Sequence, residues 1–300
     1  MAIDIMAAFE NEPPELDFIW PGFLAGTVGA LVSPGATGKS FLTLEAAMGI
    51  ACSVAGGDLL GFSPERNGRV VYFAGEDPAN VLIRRVHAIG KHLPTEARQS
   101  IAANLALEPI MGKRLNVIDD KHLTRVVEYC AGARLVVFDT LSRIHQLDEN
   151  SNGDMAYLVS TLEHIADKTG AGILYLHHVS KGSSSAGQAD QQHAARGASA
   201  LIDNARWSAY VARMTEQEAE KLSDRIDRQP IGDRRGFYVR FGENKQNYGV
   251  DQPPRWFERR DGGVLVPVDL FEIIPTKKAS KPVAAAAAAK QQQESADDNW

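Results

Sequence analysis

The sequence predicts an α/β fold with a mainly parallel central sheet, extended by antiparallel strands towards the C-terminus. Three observations predict it. The stretch TVGALVSPGATGKSFLTLEAA, Thr27 to Ala47, runs from an apolar strand through a glycine-bearing loop into a helix-forming segment. Beyond it, continuous apolar runs alternate with amphipathic stretches, the sequence form of a parallel sheet with right-handed crossovers. After about Arg206 the helical intervals disappear and strand and hairpin signals follow one another.

In chain order, Ile3 to Phe9 place Ile5, Met6 and Phe9 on one apolar helical face, followed by the proline-bearing NEPPELDFIWPG. So short a helix cannot bury itself, so it either folds back on its own core, the preferred reading, or docks on a neighbouring subunit. The helix after the glycine loop is expected to reach about Ala55. Arg69 to Ala74 (RVVYFA), Arg134 to Phe138 (RLVVF) and Gly172 to Leu176 (GILYL) are uninterrupted apolar runs, suited to strands covered on both faces. Pro78 to His92, Lys121 to Cys130 and Met155 to Lys168 carry helical spacing. Arg206 to Met214, Gly236 to Gly242 and Arg255 to Val268 read as the antiparallel strands, the last with the turn signal Asp261-Gly262-Gly263. The organisation predicted is an N-terminal helix and linker over 1–22, a core over 23–274 and a low-complexity tail over 275–300.

Composition narrows the function. The chain has 300 residues, is 44% hydrophobic and carries a formal charge of −6, so nucleic-acid contact would have to come from local loops rather than a global basic field. The two cysteines, Cys52 and Cys130, lack CxxC spacing and read as reduced core thiols. Without a basic leader or an apolar run of about 20 residues, the expectation is a cytoplasmic protein with no membrane partner.

The glycine loop carries the chemistry. Gly35 and Gly38 let the backbone fold around a polyphosphate with N–H groups turned inward, and the helix start adds its positive end. Gly35, Ala36, Thr37, Gly38, Lys39, Ser40 and Phe41 are therefore the expected nucleotide-binding segment. Lys39 supplies a charge for the β- and γ-phosphates and Ser40 a hydroxyl for Mg²⁺. Ser33 stands where the usual G-x-x-x-x-G-K-[ST] motif has its first glycine. In open α/β sheets the ligand sits beyond the carboxyl ends of the strands, where this chain offers Glu76 and Asp77, Asp139, and His177 and His178. Asp139 is the expected metal-supporting acid beside Ser40, because Mg²⁺ prefers hard oxygen ligands. Glu76 is preferred to Asp77 as general base, since Asp77-Pro78 suits a helix start. Adjacent strand residues point to opposite faces, so only one histidine can face the nucleotide. The polar loops Leu141 to Asp154 and Ser180 to Gly197 follow two of these strands, and Arg143, Lys181 and Arg196 are candidates for contacting a nucleic-acid backbone.

The run TVGALVSPGATGKS, then YFAGEDP, VVFDT, LYLHHVSKG, RGASALIDNARW and KQNYG, resembles the hexameric RepA replicative helicases of mobilisable IncQ-type plasmids, within the RecA-like P-loop ATPases. The resemblance covers roughly residues 3 to 268. It implies a RecA-like fold, ATP with Mg²⁺ bound between subunits of a six-membered homo-oligomeric ring, and movement on single-stranded DNA during plasmid replication alongside other replication proteins. It makes Glu76 the catalytic base, Asp139 the metal-supporting acid, His178 the γ-phosphate sensor and Arg206 an arginine finger for the adjacent subunit. Related rings carry K-x-R where this chain has Lys245-Gln246-Asn247-Tyr248. Lys245 is then expected at the neighbour's phosphates, and Tyr248 on the base or in the interface. Two other functions fit the same residues: a recombination or repair ATPase forming open filaments, and a regulatory ATPase switch that holds a protein partner.

Overall fold

The computed structural model describes residues 2–178, 199–249 and 252–273. Among them the inner strands of the central sheet are β3 (Val28–Ser33), β4 (Val70–Ala74), β6 (Leu135–Asp139) and β7 (Gly172–His178). All four are parallel and buried along almost their whole length, as uninterrupted Val/Ile/Leu runs require. The edge strand β5 (Leu105–Pro109) is also parallel. The preceding helix and this strand, inside TEARQSIAANLALEP, are elements that the reading of the sequence passed over.

One expectation is corrected. The segment from Arg206 forms β8 (Trp207–Arg213), which pairs parallel to β3, with Trp207 opposite Gly29 and Tyr210 opposite Val32. It is therefore the last parallel strand rather than the first antiparallel one. The short helix α7 (Ser199–Asn204) before it returns the chain to the amino end of the sheet, which sets that direction. The antiparallel extension consists of β10 (Tyr238–Gln246), β11 (Arg255–Arg259) and β12 (Leu265–Val268), with Asp261–Gly263 turning the last hairpin. Across the sheet the order is β12-β11-β10-β8-β3-β7-β6-β4-β5. Apart from it, β9 (Leu222–Ser223), which follows the capped helix α8 (Glu216–Lys221), pairs with β13 (Phe271–Glu272).

Helices cover both faces. On one side lie α2 (Lys39–Ala51), α3 (Ala79–Gly90) and α4 (Thr95–Asn104), and on the other α5 (Asp120–Cys130) and α6 (Asn152–Thr169) with α7. Helix α2 stops at Ala51, short of the expected Ala55. Near the amino ends of β3 and β7, the first face is closed by a hairpin of β1 (Phe18–Trp20) and β2 (Phe23–Leu24). Gly29 and Gly172 make room for it: a Cβ on Gly29 would stand 3.0 Å from the Phe23 ring, and one on Gly172 2.7 Å from Ile19. Phe23 stacks on Trp207 with ring centroids 5.2 Å apart. Arg134 holds Asp17 through two 3.0 Å hydrogen bonds, fixing the entry to the hairpin. The boundary expected at residue 22 thus falls inside this turn.

Cap residue Asp4 starts α1 (Ile5–Glu10), but its apolar face does not fold back on the core, against the preferred reading. Ile5, Met6 and Phe9 are 58%, 61% and 79% exposed. A six-residue helix preceding Pro13-Pro14 has no path back to the sheet that its own burial would stabilise. Cys52 and Cys130 are buried and unbridged, as expected of core thiols. No helix among the described residues is long and apolar enough to cross a membrane. The expected tail, and with it Lys181 and Arg196, lies outside the described residues.

Candidate functional site

Strand register assembles the site. Ser33 at the end of β3 lies opposite His178 at the end of β7, and Ala74 at the end of β4 lies opposite Asp139 at the end of β6. The Gly75 N–H donates to the Asp139 carbonyl at 2.5 Å, tying together the strand ends that bear Glu76 and Asp139. Between β3 and α2 the loop turns through Gly38, whose φ of 108° lies in the left-handed region. The departure at Ser33 has a structural explanation: its side chain is buried, and its hydroxyl is bonded to the Thr37 hydroxyl across the loop. The loop is thus closed from within by the residue that replaces glycine.

Lys39 Nζ donates to the Ser33 carbonyl at 2.8 Å and lies 3.1 Å from His178 Nδ1. His178 Nε2 lies 3.0 Å from Glu76 Oε1. An ammonium can only donate and a carboxylate can only accept, so the contacts fit an imidazole that accepts at Nδ1 and donates from Nε2. The result is a continuous chain from Lys39 through His178 to Glu76, three residues contributed by three strand ends. Burial lowers the Lys39 ammonium to about 8, against the pull of Asp139 and Glu76. The hydrogen bond from His178, helped by Lys39 and Arg143, holds Glu76 below the usual carboxylate range. His177, on the other face, is buried and pushed down to about 4, chiefly by desolvation. Of the adjacent pair, His178 is thus the one in the loop cluster.

Asp139 is 6% exposed, and burial raises its pKa against hydrogen bonds from Tyr72 and Ser40. Ser40 hydroxyl and Asp139 carboxylate are hard oxygen donors side by side, which suits Mg²⁺ held mostly by phosphate and water. Among the described residues no cluster of three or more His, Cys, Asp or Glu could hold a metal. The donor set therefore fits a metal that arrives with a nucleotide. Asp77 does not cap α3; it pairs with Arg85 at 2.5 Å, and Arg85 in turn lies over the Phe41 ring. Phe41 is packed on the core, with Gly263 against its ring, so its side chain is committed away from the loop interior.

Arg143 differs from its expected place on an outlying loop. Its stem lies against Gly75, where a Cβ would meet it at 2.6 Å, and its charge acts on Glu76. Arg206 and Lys245 are not part of this cluster. Both lie at the amino end of β8, because Lys245 pairs with Ser208, and a strand length of roughly 20 Å separates them from Lys39. Tyr248 follows at the same end, and Lys245 Nζ donates to the Asp203 carbonyl at 2.7 Å. The expectation that Lys245 and Tyr248 bind nucleotide thus fails for the chain's own loop and leaves only a neighbour's.

Two arginines at the loop escaped the reading of the sequence. Arg213, at the carboxyl end of β8, donates to the Ala36 carbonyl at 2.5 Å, and Arg259, at the end of β11, donates to the Thr37 carbonyl at 3.0 Å. Assigning β8 as parallel would have found Arg213, since its end then falls on the ligand edge.

Compared with known proteins, residues 2–184 match a family model described as "AAA domain". Among solved structures, the fold is similar to the ATPase domain of a replicative helicase, with a TM-score of 0.55 and 12% identity over 88% of this chain and 96% of that one. It also matches the RadB recombinase, with a TM-score of 0.49 and 14% identity over 81% of this chain and 91% of that one.

Proposed function

Because the chain belongs to the AAA domain family, and its fold is that of a RecA-like P-loop ATPase, we propose that it is an ATP-driven DNA helicase: a ring-forming motor that moves on single-stranded DNA in plasmid replication. The observation that carries the reading is the chain Lys39–His178–Glu76 beside Ser40 and Asp139 at the carboxyl edge of the sheet.

In this reading the triphosphate of ATP lies along residues 35–40, with Lys39 exchanging its bonds to the Ser33 and Pro34 carbonyls for phosphate oxygens. Ser40 and Asp139 hold Mg²⁺, which would neutralise charge developing on the phosphates. Glu76, kept ionised by His178, accepts a proton from the attacking water. His178 touches both Lys39 and Glu76, so a change at the terminal phosphate reaches the base through one side chain. Arg206 and Lys245 face away from this pocket, and that supports a neighbour's nucleotide as their target and a closed ring as the assembly. The motif order shared with RepA-type helicases supports the plasmid role.

The test is ATP hydrolysis with and without single-stranded DNA, together with unwinding of forked DNA. DNA should accelerate hydrolysis, and Lys39→Ala should abolish both activities. A Lys39→Ala protein that still unwinds with ATP, or hydrolysis indifferent to every DNA tried, would overturn the proposal.

A further inference from the structure

The metal-supporting role given to Asp139 leaves open what orients its carboxylate. Tyr72, in the middle of β4, is 2% exposed, and its hydroxyl donates to Asp139 Oδ2 at 2.7 Å. Tyr72 pairs with Val137, and Asp139 with Ala74, so phenol and carboxylate are diagonal neighbours on adjacent strands. Residues two apart share a sheet face, so Tyr72 and Ala74 point the same way, as do Val137 and Asp139. Ala74, directly across from Asp139, is small enough to leave the space that the phenol crosses. The rest of that face, including Leu135, Val137, Leu174 and Leu176, is apolar, so the phenol hydroxyl is a polar atom aimed at one destination.

We propose that Tyr72 is a positioning residue for Asp139: it fixes one carboxylate oxygen so that the other is presented to Ser40 and to the hydration shell of Mg²⁺. A carboxylate at a strand end can otherwise rotate about its terminal torsion, which is broad and roughly two-fold. Partners of this outer kind set the affinity of the metal rather than of the nucleotide. The proposal rests on the reading of Asp139 as the metal-supporting acid.

Tyr72→Phe keeps the ring and removes only the donor. The probe is N-methylanthraniloyl-ADP, with its affinity measured in EDTA and across a Mg²⁺ titration, and with Mn²⁺ bound in the presence of ADP followed by electron paramagnetic resonance. Affinity in EDTA should be unchanged, while half-saturation by Mg²⁺ and Mn²⁺ should rise about tenfold. A purely structural role would instead lower the melting temperature and weaken binding in EDTA equally, and that pattern overturns the proposal, as does a wild-type metal titration. Asp139→Asn separates the two levels. If it shifts the metal titration and Tyr72→Phe does not, only the positioning role falls. If Asp139→Asn leaves the titration unmoved, the reading of Asp139 falls and the role of Tyr72 with it.

Discussion

At the carboxyl end of the parallel strands, Lys39, Glu76, Asp139 and His178 form a set whose charges compensate one another: ammonium to imidazole, imidazole to carboxylate. At the amino end, Arg206 and Lys245 lie near enough for their like charges to act on each other, and burial with that repulsion lowers the Lys245 ammonium. One end is nearly self-sufficient and the other gains from an anion that its own chain does not bring to it. This difference teaches that a single chain holds two halves of a site rather than one whole site, with the sheet as the rigid spacer between them.

The comparison breaks first at Arg206. If it completes a neighbour's pocket, Arg206→Ala should leave nucleotide affinity intact and cut DNA-stimulated turnover by about 10³-fold. Mixing it with Glu76→Ala subunits should restore some activity, and no rescue at any ratio would count against action in trans. Glu76→Gln, at the other end, should cost about 10²-fold or more in turnover with ATP still bound, measured by single-turnover hydrolysis beside equilibrium binding. A smaller effect sharpens the account of the loop: Arg259→Ala removes a charged donor from the Thr37 carbonyl and should weaken nucleotide binding about tenfold. Binding equal to wild type would show that the loop keeps its shape without that arginine.

The smallest effect lies away from both ends. Glu45 on α2 is 1% exposed, accepts from the Leu265 N–H at 2.9 Å, and burial raises it to about 8. Between the ordinary carboxylate value of 4.5 and about 8 the folded chain holds a proton that the unfolded chain has released. Its contribution to stability is therefore full below 4.5 and is lost as pH rises through about 8. Denaturant titrations should show Glu45→Gln flattening this slope, by about 1 to 2 kcal/mol across the interval. An unchanged slope would mean that Glu45 is ionised in the folded protein.

Much of the site was legible because its residues follow unmistakable strands. Glu76 comes two residues after VVYFA, Asp139 directly after LVVF, and His178 ends GILYLHH, so an apolar run announces each one. Arg213 and Arg259 carry no such announcement, because a charge closing a strand reads the same whether it faces solvent or a loop, and only strand direction decides. The direction of β8 was hidden by its neighbours, since the strands that follow it are antiparallel and the segment before it has little apolar content. Tyr72 was hidden for another reason: within an apolar run a tyrosine passes as bulk, and its hydroxyl acquires meaning only from the register of the next strand.

The seating of Ile19 and Phe23 against glycines of β3 and β7 has a practical consequence for anyone trimming this protein. A version starting at residue 25 would retain every phosphate-loop residue yet uncover Trp207, the side chain next to Arg206. Its expected defect is aggregation and a slack subunit contact, and a failed assay of such a fragment would say nothing about its chemistry.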